Sequence, residues 1–279
     1  MRIASPLLAS LCFVGITLAQ SPAPNASLPN PSELLRRAIA NEKKLADERE
    51  RYECRVTDQL TQTDSNGNVK KNTTTVKELF FVNGIPIERE LSKDGKDLTP
   101  DEVKKQDERV MKDAVKYSNL ATANKQTDKQ LQQLQDFLSA MMLANGHRRI
   151  DNGRSILDYT IVPNPKAQAS NLNQRVATVM QGTISLDELS GVPVELNIKS
   201  VADLKIGGGL VADVHKGLWI HVHNHAEADG AWLTDLVEGS GDMREALFLH
   251  PYLRFKQVTG DCHLYSATAT QTGPARPVK

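Results

Sequence analysis

The sequence predicts an α+β chain, mostly antiparallel β, with a curved sheet covered on one face, an N-terminal helix and two inserted helices. Three observations predict it. Segments such as Val192 to Ile198 alternate apolar and polar residues, Asn-Gly and Asp-Gly turns separate several of them, and residues 99–145 switch to helical periodicity. Strands that are half apolar at this spacing argue a sheet with one face covered.

The chain opens with features of a cleavable export signal over residues 1–19. Arg2 is the basic start, Leu7 to Leu18 form a short apolar run around Cys12, and Thr17 and Ala19 make a small-residue cleavage site. The run is too short for a spanning helix, which needs about 20 apolar residues. Leu11 before Cys12 does not suit lipidation. Residues 20–31 are a Pro-rich tether, 32–269 a single domain carrying the helical insertion 99–145, and 270–279 a polar tail.

Within the domain, Pro31 and Ser32 start a helix with Leu34, Leu35, Ala38, Ile39 and Leu45 on one face. Residues 52–63 and 69–82 read as strands around an Asp64–Gly67 turn. Asn83–Gly84 then turns the chain into a third strand, which ends at Lys93–Asp94–Gly95. Thr99 and Glu102 make a capping box with Pro100 at the first helical position. Thr127 and Gln130 repeat the device, ahead of Leu131, Leu134, Leu138, Met141 and Met142 at helical spacing and an Asn145–Gly146 end. Strands resume from Arg148: Leu157, Tyr159 and Ile161 alternate, then Val176 to Leu186, Val192 to Ile198, Leu204 to Val214, Leu218 to Val222, Ala231 to Val237, Glu245 to Lys256 and Cys262 to Thr268.

Composition bounds the function. The chain has 34 basic and 34 acidic residues; residues 1–19 contain only Arg2, so the processed chain has 33 against 34, a net −1. Such a mixed surface offers no footprint for nucleic acid. Two cysteines remain after cleavage, Cys54 and Cys262, and an even count in an oxidising compartment predicts a disulfide between them.

No catalytic constellation and no cofactor motif emerges. His221, His223 and His225 share a strand face, but alternate strand residues stand roughly 7 Å apart, so a solvated outer face is expected rather than a metal site. Gly207–Gly209 lacks the Lys and Ser/Thr of a phosphate loop and reads as a bulge. Glu238 to Asp242 reads as a turn, and Asp187 and Glu188 as solvated residues of a hairpin turn. Met141 and Met142 suit either core packing or an adaptable apolar surface.

The layout resembles the periplasmic lipoprotein-carrier (LolA/LolB-like) superfamily. The likeness rests on Pro31 to Leu60, on Gly182 to Val201 (GTISLDELSGVPVELNIKSV), on Lys205 to Val222, and on Asp229 to Leu233 (DGAWL). It implies an incomplete β barrel with a helical lid over an apolar cavity and a role in outer-membrane lipoprotein sorting. On that basis the chain is expected to be periplasmic or secreted and non-enzymatic, with no membrane span. Its expected ligand is a lipid or lipoprotein acyl chain, with an exported protein as a further possible partner. The cavity residues would be Leu131, Leu134, Leu138, Met141 and Met142 against Val194, Leu196 and Ile198. The other reading is a protein-interaction or sensory module on the same scaffold without a deep pocket. Fold likeness alone does not choose between them.

Overall fold

The computed structural model describes residues 27–64, 66–206, 212–245 and 252–265. The export signal (1–19), most of the tether, the Gly207–Gly209 run and the tail (270–279) lie outside the described residues.

Helix α1 (Pro31–Arg49) begins where Asn30 accepts a hydrogen bond from the Ser32 amide. It leads into β1 (Tyr52–Thr63), β2 (Val69–Val82), β3 (Ile85–Lys93) and the short β4 (Lys96–Asp97). The β2–β3 turn has Asn83 at φ 50° and Gly84 at φ 75°, the paired positive values that a two-residue hairpin requires. The turn is held from both sides. Its Asn83 amide donates to Glu50 at the end of α1, and the Asn83 side chain donates to the Tyr117 carbonyl.

Helices α2 (Pro100–Ser118) and α3 (Leu120–Ser139) follow, then β5 (Met141–Asp151), β6 (Arg154–Pro163), α4 (Leu172–Ala177), β7 (Met180–Asp187) and β8 (Pro193–Ser200). The chain closes with β9 (Leu204–Ile206), β10 (Ala212–Val214), β11 (Trp219–Ala226), β12 (Trp232–Glu245) and β13 (Tyr252–Leu264). One open, antiparallel sheet runs in the order β4-β3-β2-β1-β13-β12-β11-β8-β7-β6-β5, with β9 and β10 attached beside β12.

Register fixes one continuous inner face. Tyr159 pairs with Ile184, Ile184 with Leu196, Leu196 with Val222 and Val222 with Val237. Val237 lies opposite Gln257, and Val56 sits between Lys77 and Thr259. Helix α1 crosses this face. Leu34 is fully buried among Leu157, Tyr159, Ile161 and Leu186, and Leu45 packs with Val192 and Trp232 near the other end. At the β3 edge, Arg89 alternates in phase with buried Ile85 and Ile87 and pairs with Asp107 of α2 at 3.0 Å. By that phase α2 lies against the outer face, while α1 and α3 cover the inner one.

Several expected boundaries moved, each for a local reason. The second inserted helix starts at Leu120, not Thr127, because Asn119 caps it through the Thr122 amide and Ala123 is fully buried. The Thr99–Glu102 capping box is present at the start of α2. Met141 and Met142 are not on that helix; they open β5, pairing with Pro163 and Val162. Asn145–Gly146 is therefore no helix end but a bulge in β5, with Asn145 at φ 51°. The left-handed preference that suits Asn and Gly to helix ends also suits them to bulges.

Residues 172–177 form α4 under an Asn171–Gln174 capping box, so the strand that follows starts at Met180 rather than Val176. Glu238 to Asp242 is not a turn either, since β12 is continuous through it. A side chain at Gly239 would stand 2.5 Å from the Trp219 carbonyl and one at Gly241 2.5 Å from Leu218. These glycines permit close approach within a strand, the other common use of glycine there.

Asp187 and Glu188 are not solvated. Asp187 is 2% exposed and accepts from the Ser190 amide and hydroxyl at 2.7 Å. Glu188 takes both oxygens to the nearly buried Arg148 guanidinium and one also to the Ser155 hydroxyl. Burial opposes ionisation of Glu188, yet Arg148 and Ser155 outweigh it and hold the carboxyl below its usual range.

Candidate functional site

The inner face is not filled uniformly. Between α1, α3 and the strands β1, β2, β3, β12 and β13 lies a cavity of about 420 Å³, within the roughly 300–1,000 Å³ of typical small-molecule sites. Strand alternation brings Cys54, Val56, Leu79, Phe81 and Pro86 to its floor, and the α3 stripe brings Leu131 and Leu134 to its roof. Ala46 closes the α1 side, directly over the Gly84 turn, where a Cβ would meet the Ala46 methyl at 2.9 Å.

Polar groups occupy part of the wall. Thr127, Gln130, Thr234, Gln257 and Thr259 line it, and its charged members are Arg49 and Glu88. Glu88 and Asp58 share the ammonium of Lys77, at 2.6 and 2.5 Å, and Gln257 donates to Asp58 at 3.0 Å. Burial works against the Lys77 charge, but these two carboxylates raise its pKa overall.

The eight residues expected at the cavity divide among separate places. Leu131 and Leu134 line it. Leu138, Met141 and Met142 border a second, open groove of about 580 Å³ between α1, α3 and β5. Leu196 and Ile198 pack against the core around Leu34 and Leu157, and Val194 packs with Leu45 and Trp232. The residues that face Leu131 and Leu134 come instead from the first three strands: Cys54 and Val56 alternate with the polar Glu53, Arg55 and Thr57, a readable signal, whereas Leu79 and Phe81 stand in the continuous apolar run Leu79 to Val82, whose inward side periodicity does not distinguish.

Cys54 and Cys262 form a disulfide that joins β1 to β13 across a register irregularity. Cys54 is at once a cavity wall residue and a bridge. The three strand histidines stand on the outer face, each against carboxylates. His221 lies 3.2 Å from both Glu195 and Glu238, His223 2.6 Å from Asp235, and His225 3.0 Å from Glu227. Among the described residues no group of three or more His, Cys, Asp or Glu side chains is placed to hold a metal ion. No helix among them is long and apolar enough to cross a membrane.

Comparison with models of known protein families and with curated proteins finds no significant match for this chain.

Proposed function

We propose that this chain is an exported, non-enzymatic binding protein that holds an apolar ligand, a lipid or a lipoprotein acyl chain, between the sheet and helices α1 and α3. The observation that carries the reading is the 420 Å³ cavity, in which the α3 stripe faces the apolar floor of β1 to β3 without filling the space between them. The resemblance of the sequence's layout to that of lipoprotein carriers supports it. The Cys54–Cys262 bond suits a periplasmic or secreted location, because such bonds persist in oxidising compartments.

The energetics fit a carrier. Burying about ten methylenes gains roughly 8 kcal/mol, against an association cost of about 4–15 kcal/mol. Binding is favoured only toward the low end of that cost, by at most about 4 kcal/mol, so a bound chain of this length is held weakly and can be released. Native mass spectrometry of protein purified from its exported compartment should show a co-purifying lipid. Replacing Leu131 or Leu134 by Trp fills the space from the roof, and should abolish binding of an apolar dye while leaving the thermal unfolding transition cooperative. If the wild-type chain binds no apolar probe, the carrier reading fails.

A second reading is an interaction module. Its support is an apolar row on α2, where Val103, Met111 and Val115 are 44%, 54% and 68% exposed. Isolated apolar side chains are ordinary on a surface, but Met111 and Val115 lie one turn apart, with Val103 two turns before Met111 beyond the charged Asp107, and apolar groups spaced along one helix are the form that partner helices recognise. Under this reading, charged substitutions at Met111 and Val115 abolish a protein complex and leave dye binding intact.

A further inference from the structure

The cleft between α1 and α3 continues past the cavity, because one stripe of each helix lines both the cavity and the open groove beside β5. On α3, Thr127, Leu131 and Leu134 stand at the cavity, and Leu138, one turn further on, stands at the groove. On α1, Ala46 and Arg49 stand at the cavity and Leu35 and Ile39 at the groove, again at same-face spacing. The step between the two spaces is about 6 Å along α3, from Leu134 to Leu138, and about 10 Å along α1, from Ala46 to Ile39. They are neighbours along one cleft.

The groove is apolar where it is not already satisfied. Leu35, Ile39, Leu138 and Leu143 surround Met141 and Met142, whose flexible thioethers adapt to varied apolar shapes. Most of its polar members are engaged within the fold. Arg36 pairs with Glu33, the Ser139 hydroxyl donates to the Asp136 carbonyl and accepts from Gln174, and the Asn164 side chain accepts from the Lys166 amide. The other two, Ser32 and Gln135, are exposed at the rim.

From this we infer that the groove is a second subsite for the same ligand: an acyl chain too long for the cavity continues along the α1–α3 cleft and lies on the groove. The ligand class is then a long acyl chain rather than a short one. The inference rests on the cavity reading above. A chain of about ten methylenes is held weakly, and further methylenes add nothing if they remain in water. Each one that is fully buried improves binding about fourfold. A groove open on one side buries part of each, so the step there is smaller.

The test uses the full processed chain loaded with the neutral dye N-phenyl-1-naphthylamine. Octanoate, decanoate, dodecanoate, tetradecanoate and hexadecanoate then compete for the dye below their micelle concentrations. Competition should strengthen with length through dodecanoate and keep strengthening beyond it, with hexadecanoate displacing the dye at about tenfold lower concentration than dodecanoate, or less. Leu35→Gln combined with Met142→Gln sets two amides in the groove. That variant should reduce the gain beyond dodecanoate to within about threefold, while octanoate and decanoate compete as in wild type. Met142→Gln alone, at an exposed position of the edge strand β5, should reduce the gain in part, and serves if the pair does not fold. A wild-type gain that stops at dodecanoate overturns the groove assignment while the cavity reading stands. A gain that the folded variants retain in full, or a weakening that is equal at every chain length, overturns it as well. Failure of the dye to bind at all overturns the cavity reading and this inference with it.

Discussion

Glu78 is the residue whose ionisation works most clearly against the fold. Burial, and next the hydrogen bond and charge of Glu53 on the adjacent strand, push its carboxyl up to about 6, despite Arg89 at 3.6 Å and Arg55 nearby. A carboxyl raised in the folded state stabilises the fold fully below its unfolded pKa of 4.5 and loses that contribution as pH rises through about 6. Glutamine keeps a donor for Glu53 and cannot ionise. Glu78→Gln should therefore unfold at higher denaturant concentration than wild type at about pH 8, with a gain of about 1 kcal/mol after allowing for partial solvent exposure. The two proteins should converge at about pH 4, below both pKa values. A gain that is the same at both pH values would exclude Glu78 titration as its source.

Tyr52 is a second perturbed group at the same end of β1. Burial, then its hydrogen bond to Asp229, push its phenol up to about 12. Asp229 in turn accepts from the Ala231 amide and from Tyr52 and is held below its usual range. This small network ties β1 to the β11–β12 turn, beside the buried Ala231 and Leu233.

Among the elements, β1 and β13 form the joint that the disulfide secures. These strands come from opposite ends of the domain, 208 residues apart at the two cysteines. Their antiparallel ladder extends from Tyr52 to Thr63. In the chain-entropy model, closing a loop of this length stabilises the fold by about 5 kcal/mol, less any strain in the native state. Reduction, or replacement of both cysteines by Ala, should lower the melting temperature visibly, because net stabilities are only about 5–15 kcal/mol. Thiol counting on denatured, unreduced protein should find no free thiol at either position. The same bond lies in the cavity wall at Cys54, so reduction should also weaken dye binding at temperatures where the chain remains folded.

Over the whole molecule, core and cavity share one face of the sheet but differ in how they are filled. Leu34 is fully buried where α1 meets β6 and β7, so Leu34→Ala should cost about 2–5 kcal/mol and broaden or abolish cooperative unfolding. Leu131→Trp, at the roof of the cavity, should cost far less because space is present to receive the ring. Paired denaturant titrations of these two variants separate a filled core from an open site; equal losses would indicate that the roof is packed as tightly as the core.

Local patterning determined much of this architecture. The Asn83–Gly84 hairpin, the Thr99–Glu102 capping box, the first three strands and the Cys54–Cys262 pairing were all legible, because turn chemistry, capping and cysteine count act over short distances or need no geometry at all. The extent of α3 was not, since Asn119 and a buried Ala123 decide where it starts and the pairing of Met141 with Pro163 decides where it stops. Helical spacing placed Met141 and Met142 on one stripe with Leu138. In a strand, neighbours point to opposite faces, and Met141 is buried while Met142 is 40% exposed. Nor could periodicity say which strands face which helix. Leu131 and Leu134 meet the floor of β1 to β3 rather than Val194, Leu196 and Ile198, because sheet order is set by pairings between distant segments, above all β1 with β13. The sequence by itself determined most of the elements, and the apolar face of those with clean alternation or helical spacing. Only the tertiary structure decided which faces meet and where they leave a space, because that depends on long-range register and on how closely two packed surfaces fit.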